Sequence, residues 1–597
     1  MKRLLVSTAL EASWVDTEPM LFLGEWCRLY SRHNQWSNLD VVVLPYHWDD
    51  SEKRKKDNRF LLSLHEELLP ELSDQLNEHH GVDHSVRYWR ILLGPWLGCF
   101  TQLLFDRWSS VVQGTNHHEL SGTVVLTGLE DARVPNDMDD FFQLAGGQGW
   151  NHHIYGRILT DFSDLPCVRR LAVGIEHGIH CGLSTEVTSS HRALNSKASL
   201  VAGYSRLSGR LTRPTDYFIV NTCLRSKRDE LNLQLRLGQV PRLIPVEPPG
   251  HVPVDELCRR WELGGAEGAS FEACLRSLIP EQMPTAYLEG YRALCDESDR
   301  RRWPGAPRAI FTGGSHYYDD VFKAWCAAKT EEGAPLVIAQ HGGHIGTAWS
   351  FSHDHQMAIA DRFLSWGWSE PDEPKVVPVG MLKAPTLPGG GGAVKNRALL
   401  VTGNLDAHMQ SFSLGSHAVA SQFLGYLEDQ FTFVEALSPP VRDSLTVRVS
   451  CHDLDWGQQR RWRDRLPEVS LDSGQRPIME LLAGTKLCIA TNNGTTFLES
   501  FFLGLPTVIF WDTDVWEIVD SAVPFFEGLA GVGVFHSSPE SAARHVSSVW
   551  SEVETWWSSP PVVDAVATFK KRYCDDPGNV LDEVCTALGA VAGGVPR

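Results

Sequence analysis

Apolar runs of strand length, each followed by a stretch with helical spacing, recur from one end of this chain to the other. That alternation restricts it to an α/β fold built on parallel sheets. In the first half the strands are "RLLVSTAL", "LDVVVLPYHW", "TVVLTGL", "DYFIVN", "RAIFTGG" and "PLVIAQHG". Between two of them, "NRFLLSLHEELLPELSDQLNEHHG" reads as an amphipathic helix closed by Gly81. Residues from about 50 to 300 hold more helix than a minimal doubly wound domain needs, so a helical elaboration is expected there.

A break follows in "APTLPGGGGAVKNR", where Pro385, Pro388 and four consecutive glycines cannot be ordered by burial. Residues 385–397 are therefore read as a linker. A second series begins with "ALLVTGN", continues through "LTVRVSCHD", "KLCIATNN" and "PTVIFWD", and ends in the helical "VVDAVATFKKRYCDD". The expected architecture is two doubly wound, Rossmann-like domains, 1–384 with the helical elaboration and 398–597.

Composition narrows the partners. The 597 residues carry a formal net charge of -20, which argues against nucleic acid or an anionic membrane as the main partner and makes any phosphate site local. Thirteen cysteines without a C-x-x-C pair read as reduced core residues of a cytoplasmic protein. The most apolar segment, "ILLGPWLGCFTQLLF", is too short for the roughly 20 residues of a membrane span, so it is expected as a buried helix and any membrane association as peripheral. "MKRLLVSTALEASW" is interrupted by Glu11 and Trp14 before a signal-peptide core is complete, and reads as a first strand. No G-x-G-x-x-G follows a strand and no G-x-x-x-x-G-K-[ST] occurs, which disfavours a dehydrogenase or a P-loop ATPase; no cofactor is called for.

Three constellations carry chemistry. In "KLCIATNNGTTFLESFFLGLPTVIFWD" a strand ends at a polar turn before an apolar helix, the edge at which open α/β sheets bind ligands. Asn493, Gly494 and Thr495 put a small turn and extra donors at a positive helix end, where backbone amides can hold phosphate. Thr496 and Glu499 also fit a capping box, which would commit both side chains to helix amides. In "PLVIAQHGGHIG", Gly342 and Gly343 let backbone approach an anion, and His341 can donate to a donor phosphate or leaving group, or cap its own turn. His344, His353 and His355 match no compact metal-ligand set, so no metal is expected, and "DTD" at Asp512 to Asp514 is a common acidic triplet. In "LTVRVSCHDLDWGQQRRWRDRLP", Arg448 and His452 would grip a pyrophosphate or a nucleoside monophosphate beside Asn493 if the two strands are neighbours. The alternative is that Arg448 pairs with a sheet-edge carboxylate.

The turn at Asn493 resembles the donor-side motif of GT-B transferases. The chain as a whole resembles a family of transferases from bacterial O-antigen gene clusters, through "TALEASW", "LFLGEWCRLYSR", "LPYHWDD", "HSVRYWRILLGPWL", "YDDVFKAW", "QHGGHIG", "IADRFLSWGW" and "TTFLESFFLGLPTVIFW". This resemblance, close to capsule and Kdo-type sugar transferases, implies a GT-B-like fold and a metal-independent glycosyltransferase. A His-Gly at the position of His341 and an acidic residue in an early Gly-Glu loop belong to it. So does an Arg-to-His-Asp run, although "VSC" stands here where a Tyr-Pro pair is expected.

Transfer to a hydroxyl requires a base within hydrogen-bond reach of the acceptor. Glu11, after the first strand, ranks first and Glu25 in "FLGEWC" second, ahead of Asp319 and Asp320, which are more often caps. Trp14, Trp26, Trp48 and Trp89 would form a sugar-stacking surface or, more simply, pack the core. The resulting expectation is a cytoplasmic enzyme that moves a sugar from a nucleotide-activated donor, a CMP-linked acidic sugar among the candidates, to a glycan or lipid-linked glycan acceptor such as O-antigen or capsule. A polyol-phosphate transferase, a nucleotide-sugar epimerase, or a non-catalytic sugar-nucleotide binding subunit remain as alternatives.

Overall fold

The computed structural model describes residues 2–117, 119–129, 134–172, 209, 211–266, 268–349, 355–388, 396–410 and 419–593. Their strands form three sheets, and every strand pair in them is parallel. The first contains β1 (Arg3–Val6), β2 (Met20–Phe22), β3 (Val41–Val43), β4 (Leu120–Thr127) and β5 (Cys167–Leu171), in the order β3-β2-β1-β4-β5. The second contains β6 (Phe218–Val220), β7 (Ile310–Thr312), β8 (Leu336–Ala339), β9 (Arg362–Ser365) and β10 (Val376–Pro378), laid down in one direction from β6 to β10. The third contains β11 (Arg397–Val401), β12 (Leu445–Arg448), β13 (Ser470–Asp472), β14 (Thr485–Ala490), β15 (Thr507–Phe510) and β16 (Phe535–His536), in the order β13-β12-β11-β14-β15-β16.

The α/β class with parallel sheets is as the alternation of strands and helices implies. The number of sheets is not: the first half holds two where one was expected. Only the first and third reverse direction, between β1 and β4 and between β11 and β14, as doubly wound sheets do. The second winds one way. The four glycines of the expected linker lie outside the described residues.

Apolar helices explain why the first two sheets merge in a sequence reading. The helix Val86–His117 packs on the helix Gln148–Asp161 beneath the first sheet and on the helix Asp320–Glu331 beneath the second. It is covered on several faces at once, and Ile91, Leu92, Leu93, Trp96, Leu97, Phe100, Leu103 and Leu104 are all fully buried. That is the reason "ILLGPWLGCFTQLLF" is apolar all round. No helix among the described residues is long and apolar enough to cross a membrane. Most of the buried apolar side chains form one cluster running from Leu4 to Leu588, so the sheets share a core.

The chain crosses between the second and third sheets twice. It leaves after β10 to enter β11, and it returns beyond the helix Pro560–Tyr573. There the Asp575 amide donates to the Trp366 carbonyl at 2.9 Å, and the Met381 amide donates to the Asp575 carbonyl at 2.8 Å. The last helix, Val580–Gly593, packs on Lys227–Arg236, with Arg236 paired to Asp582.

Candidate active site

The reversal point of the third sheet lies between the carboxyl ends of β11 and β14, where doubly wound sheets open a ligand crevice. Tyr426 pins both sides of it: its hydroxyl accepts from the Gly403 amide at 2.6 Å and bonds the Thr491 hydroxyl at 2.5 Å. The Asn492–Gly494 turn follows, and the helix Thr495–Phe502 starts immediately after it. Gly494 holds the N-cap position in extended conformation (φ -113°, ψ -165°) with no side-chain cap. Thr496 is therefore the second helical residue and the expected Thr496–Glu499 capping box does not form, because the helix begins one residue earlier than that motif needs. Among the described residues no side chain caps this helix start.

The His341–Gly343 turn of the second sheet is pressed onto this one. Buried Gln340 shapes it, donating to the carbonyls of Gly342 (2.8 Å) and Ile345 (3.1 Å) and accepting from the Trp366 amide and the Trp368 indole, each at 2.9 Å. The Gly343 amide donates to the Thr495 hydroxyl at 3.1 Å. The Thr347 hydroxyl donates to Asn493 Oδ1 at 3.1 Å, and the buried Asn493 Nδ2 has no partner among the described residues. Approach is close because residue 343 has no side chain: a Cβ there would sit 2.8 Å from the Gly494 carbonyl oxygen and 3.0 Å from Thr495 Cα. Trp349 and Val519 extend the contact, their amides donating to the carbonyls of Glu517 (3.3 Å) and Thr347 (3.0 Å).

Three titratable groups line the junction. Burial, with the charge of Lys383 nearby, lowers His341 to about 4, so the imidazole is neutral at physiological pH, and among the described residues its Nδ1 has no hydrogen-bond partner. Burial raises Glu499 to about 7 against the opposing pull of Lys383. Lys383 itself is exposed, and sequence reasoning missed it because it sits in an unpatterned stretch between the last strand of one sheet and the linker.

Other expected site residues are placed differently. Arg448 pairs with Asp472 at 2.8 Å and donates to the Gly474 carbonyl at 2.9 Å. The premise that would have turned it toward Asn493 fails, because β12 and β14 are not neighbours: β11 lies between them. Burial pushes Asp472 up, but Arg476, the Gly474 amide and Arg448 outweigh it and hold the carboxyl below the usual range. His452 lies at the other lip of the crevice, its carbonyl accepting from Asn404 Nδ2 at 2.6 Å.

Glu11 is ion-paired with Arg32, and Glu25 with both arms of the Arg28 guanidinium. Their turns face the β11 and β12 loops of the third sheet, through Glu25 N to Ser421 Oγ (3.3 Å) and through Gln148, which bonds both the Ala9 amide (3.0 Å) and Asp455 (3.1 Å). Among the described residues no hydrogen bond or ion pair ties either carboxylate to the Gly343–Thr495 junction. Asp319 caps its helix by accepting from the Phe322 amide at 3.0 Å, and Asp320 is buried against Lys323 at 2.7 Å. Trp14, Trp26, Trp48 and Trp89 are all buried and pack the core. The first sheet's own reversal point is filled by the protein: Trp26 and Trp14 donate to the carbonyls of Ser7 (3.0 Å) and Thr8 (3.3 Å), and His152 bonds the Thr8 hydroxyl at 2.9 Å. Among the described residues no three His, Cys, Asp or Glu side chains are grouped to hold a metal ion, and Asp512 accepts from the Asp514 amide at 2.9 Å. His353 lies outside the described residues.

No curated protein matches the chain. Solved structures with some likeness include a wall teichoic acid polymerase, TagF, at 11% identity over 51% of this chain and 84% of that one (TM-score 0.27). The spinosyn rhamnosyltransferase SpnG matches at 14% over 51% and 78% (TM-score 0.26). WaaG, a glycosyltransferase involved in lipopolysaccharide biosynthesis, matches at 13% over 64% and 98% (TM-score 0.28). At such scores the fold rests on the sheets themselves. Family membership is another matter: the model of the LIC12162 family transferases matches residues 3–588, all three sheets and the returning helix included, and the chain belongs to that family.

Proposed function

We propose that this transferase moves a sugar from a nucleotide-activated donor to a hydroxyl of a glycan or lipid-linked glycan acceptor, with the donor bound where the second and third sheets meet. The observation that carries the reading is the Gly343–Thr495 contact, which joins an uncapped helix N-terminus at a sheet reversal point to a turn bearing a neutral histidine. Asn493, Gly494, Thr495 and Thr496 supply amide and hydroxyl donors to the donor phosphate, and Gly342 and Gly343 allow close approach. Glu499 faces the nucleotide side. His341 takes the proton of the acceptor hydroxyl as its oxygen bonds to the anomeric carbon, while the bond from that carbon to the phosphate oxygen breaks and the nucleotide leaves with the electron pair. His341 ranks ahead of Glu11 and Glu25 because both carboxylates already hold arginines. The family resemblance supports a surface polysaccharide such as O-antigen or capsule as acceptor and a CMP-linked acidic sugar among the candidate donors, and the reduced cysteines support a cytoplasmic setting.

The test is a thermal-shift screen against CMP-, UDP-, GDP- and CDP-activated compounds, followed by nucleotide release with and without acceptor. A ligand at 100 times its Kd raises stability by roughly 2.7 kcal/mol. Release only when acceptor is present, undiminished by EDTA, is the expected result. Nucleotide-sugar interconversion without acceptor would make the protein an epimerase, and binding without turnover a non-catalytic subunit.

A further inference from the structure

Lys383 is an exposed cation in an acidic chain, where 74 acidic residues face 54 basic ones, yet among the described residues it makes no ion pair or hydrogen bond. The two residues just before it are anchored. The Leu382 carbonyl accepts from the Arg225 amide at 3.2 Å and the Met381 amide donates to Asp575 at 2.8 Å, so the side chain starts from an anchored segment at the carboxyl edge of the second sheet.

Three walls surround it. Its charge acts on His341 in the turn after β8, on Glu499 in the helix after β14 and on Cys223 in the loop after β6. The Cys223 wall is tightly built: Asn221 and Cys223 both hold left-handed backbone (φ 44° and 56°). They do so against two glycines, where a Cβ on Gly313 would meet Cys223 Sγ at 2.7 Å and one on Gly314 would meet Asn221 Nδ2 at 2.8 Å. Non-glycine residues in that conformation cost free energy that the surroundings must offset. The arginine that the sequence assigned to this task, Arg448, is engaged with Asp472. An exposed lysine between a neutral imidazole and a carboxyl raised to about 7 has its positive charge only partly compensated.

We propose that Lys383 binds the phosphate of the nucleotide-activated donor, supplying the charge that the helix N-terminus at Thr495 completes; this rests on the donor-site reading above. It marks the ligand as a phosphate ester held from both sheets at once, by an ammonium from the second and by amides from the third.

The experiment is titration calorimetry of the full chain with CMP and UDP, and with cytidine and uridine as phosphate-free controls, for wild type, K383Q and K383R. A charge-assisted hydrogen bond contributes about 1.5–3 kcal/mol, which converts to a loss of about 10- to 100-fold. K383Q is expected to weaken both nucleotides by that factor, leave the nucleosides unchanged and keep the wild-type melting temperature, with K383R restoring most of the affinity. Equal nucleotide affinity in K383Q and wild type, or an equal loss for nucleosides, overturns the assignment of Lys383 alone. A wild-type protein that binds none of the nucleotides removes the donor site, and this inference with it.

Discussion

The amide of Gly343 donates to the hydroxyl of Thr495, 152 residues away in sequence, and the two turns it joins end strands of different sheets. The contact makes a crevice out of two otherwise ordinary sheet edges.

Glycine at 343 and glycine at 494 should fail differently. In Gly343→Ala the new Cβ meets backbone, the Gly494 carbonyl and Thr495 Cα, which cannot rotate away. It should cost about 1–3 kcal/mol and lower kcat/KM at least tenfold by pushing the turns apart. In Gly494→Val the Cβ meets only the end of the Asn492 side chain, at 2.5 Å, and φ is ordinary. Its melting temperature should stay near that of wild type while the nucleotide-induced shift disappears. A full ligand shift in Gly494→Val would show that this turn does not touch the donor.

The base is tested by pairing two substitutions. His341→Asn should lower kcat by roughly 100-fold or more with nucleotide affinity retained, since only proton transfer is removed. Glu11→Gln should leave kcat within a few-fold, because its carboxylate holds Arg32. Reversed outcomes would move the chemistry to the first sheet.

Arg448→Ala should behave as a stability mutant. Asp472 is 4% exposed and would keep Arg476 but lose its second guanidinium, at a cost of about 1–3 kcal/mol. Unfolding midpoints should fall while the Kd for nucleotide is unchanged; a Kd raised tenfold or more with normal stability would return Arg448 to the donor site.

Acid should destabilise the fold well before its carboxylates are all protonated. Burial lowers His80, His152 and His341 from 6.5 to about 4, and His316, His355 and His408 well below 6.5. A depressed folded value means the unfolded chain binds more protons, so this stability is present above about pH 6.5 and is lost as pH falls through the folded values. Asp319, Asp429 and Asp455, raised to about 6, and Glu499, raised to about 7, act in the opposite sense over the same range. His153, His536 and His545 are lowered as well, and Asp49, Asp137 and Glu517 raised, so among the described residues nine histidines stand against seven carboxyls and leave a net loss, with each histidine worth on the order of 1 kcal/mol by pH 5. Urea unfolding at pH 7 and pH 5 measures it, and His316→Gln should flatten the slope. Stability that rises toward pH 5 would mean the carboxyls dominate.

Local pattern made much of this legible. The apolar runs behind β8, β11, β14 and β15 located those strands, and the turns at His341 and Asn493 stood out because small and polar residues cluster where each run ends. What did not show was anything decided by sheet order. Arg448 belongs beside the donor only if β12 and β14 are neighbours, and the intervening β11, which sets them apart, does not show in the local pattern. Glu499 and Thr496 fit a capping motif by spacing alone, whereas the helix starts at Thr495 with Gly494 as its N-cap. The division of the first half into two sheets was hidden by one helix apolar enough to serve both.

The outgoing and returning passages between the second and third sheets lie side by side, bonded at Met381 and Asp575. Together they are a two-ply strap. The second ply also changes what a break in the first would do. Were the backbone severed between Pro388 and Arg397, the carboxyl fragment would still carry the helix Val580–Gly593 that packs on Lys227–Arg236 of the amino fragment. Each piece keeps a handle on the other, and a nicked molecule would remain a noncovalent pair with its crevice assembled.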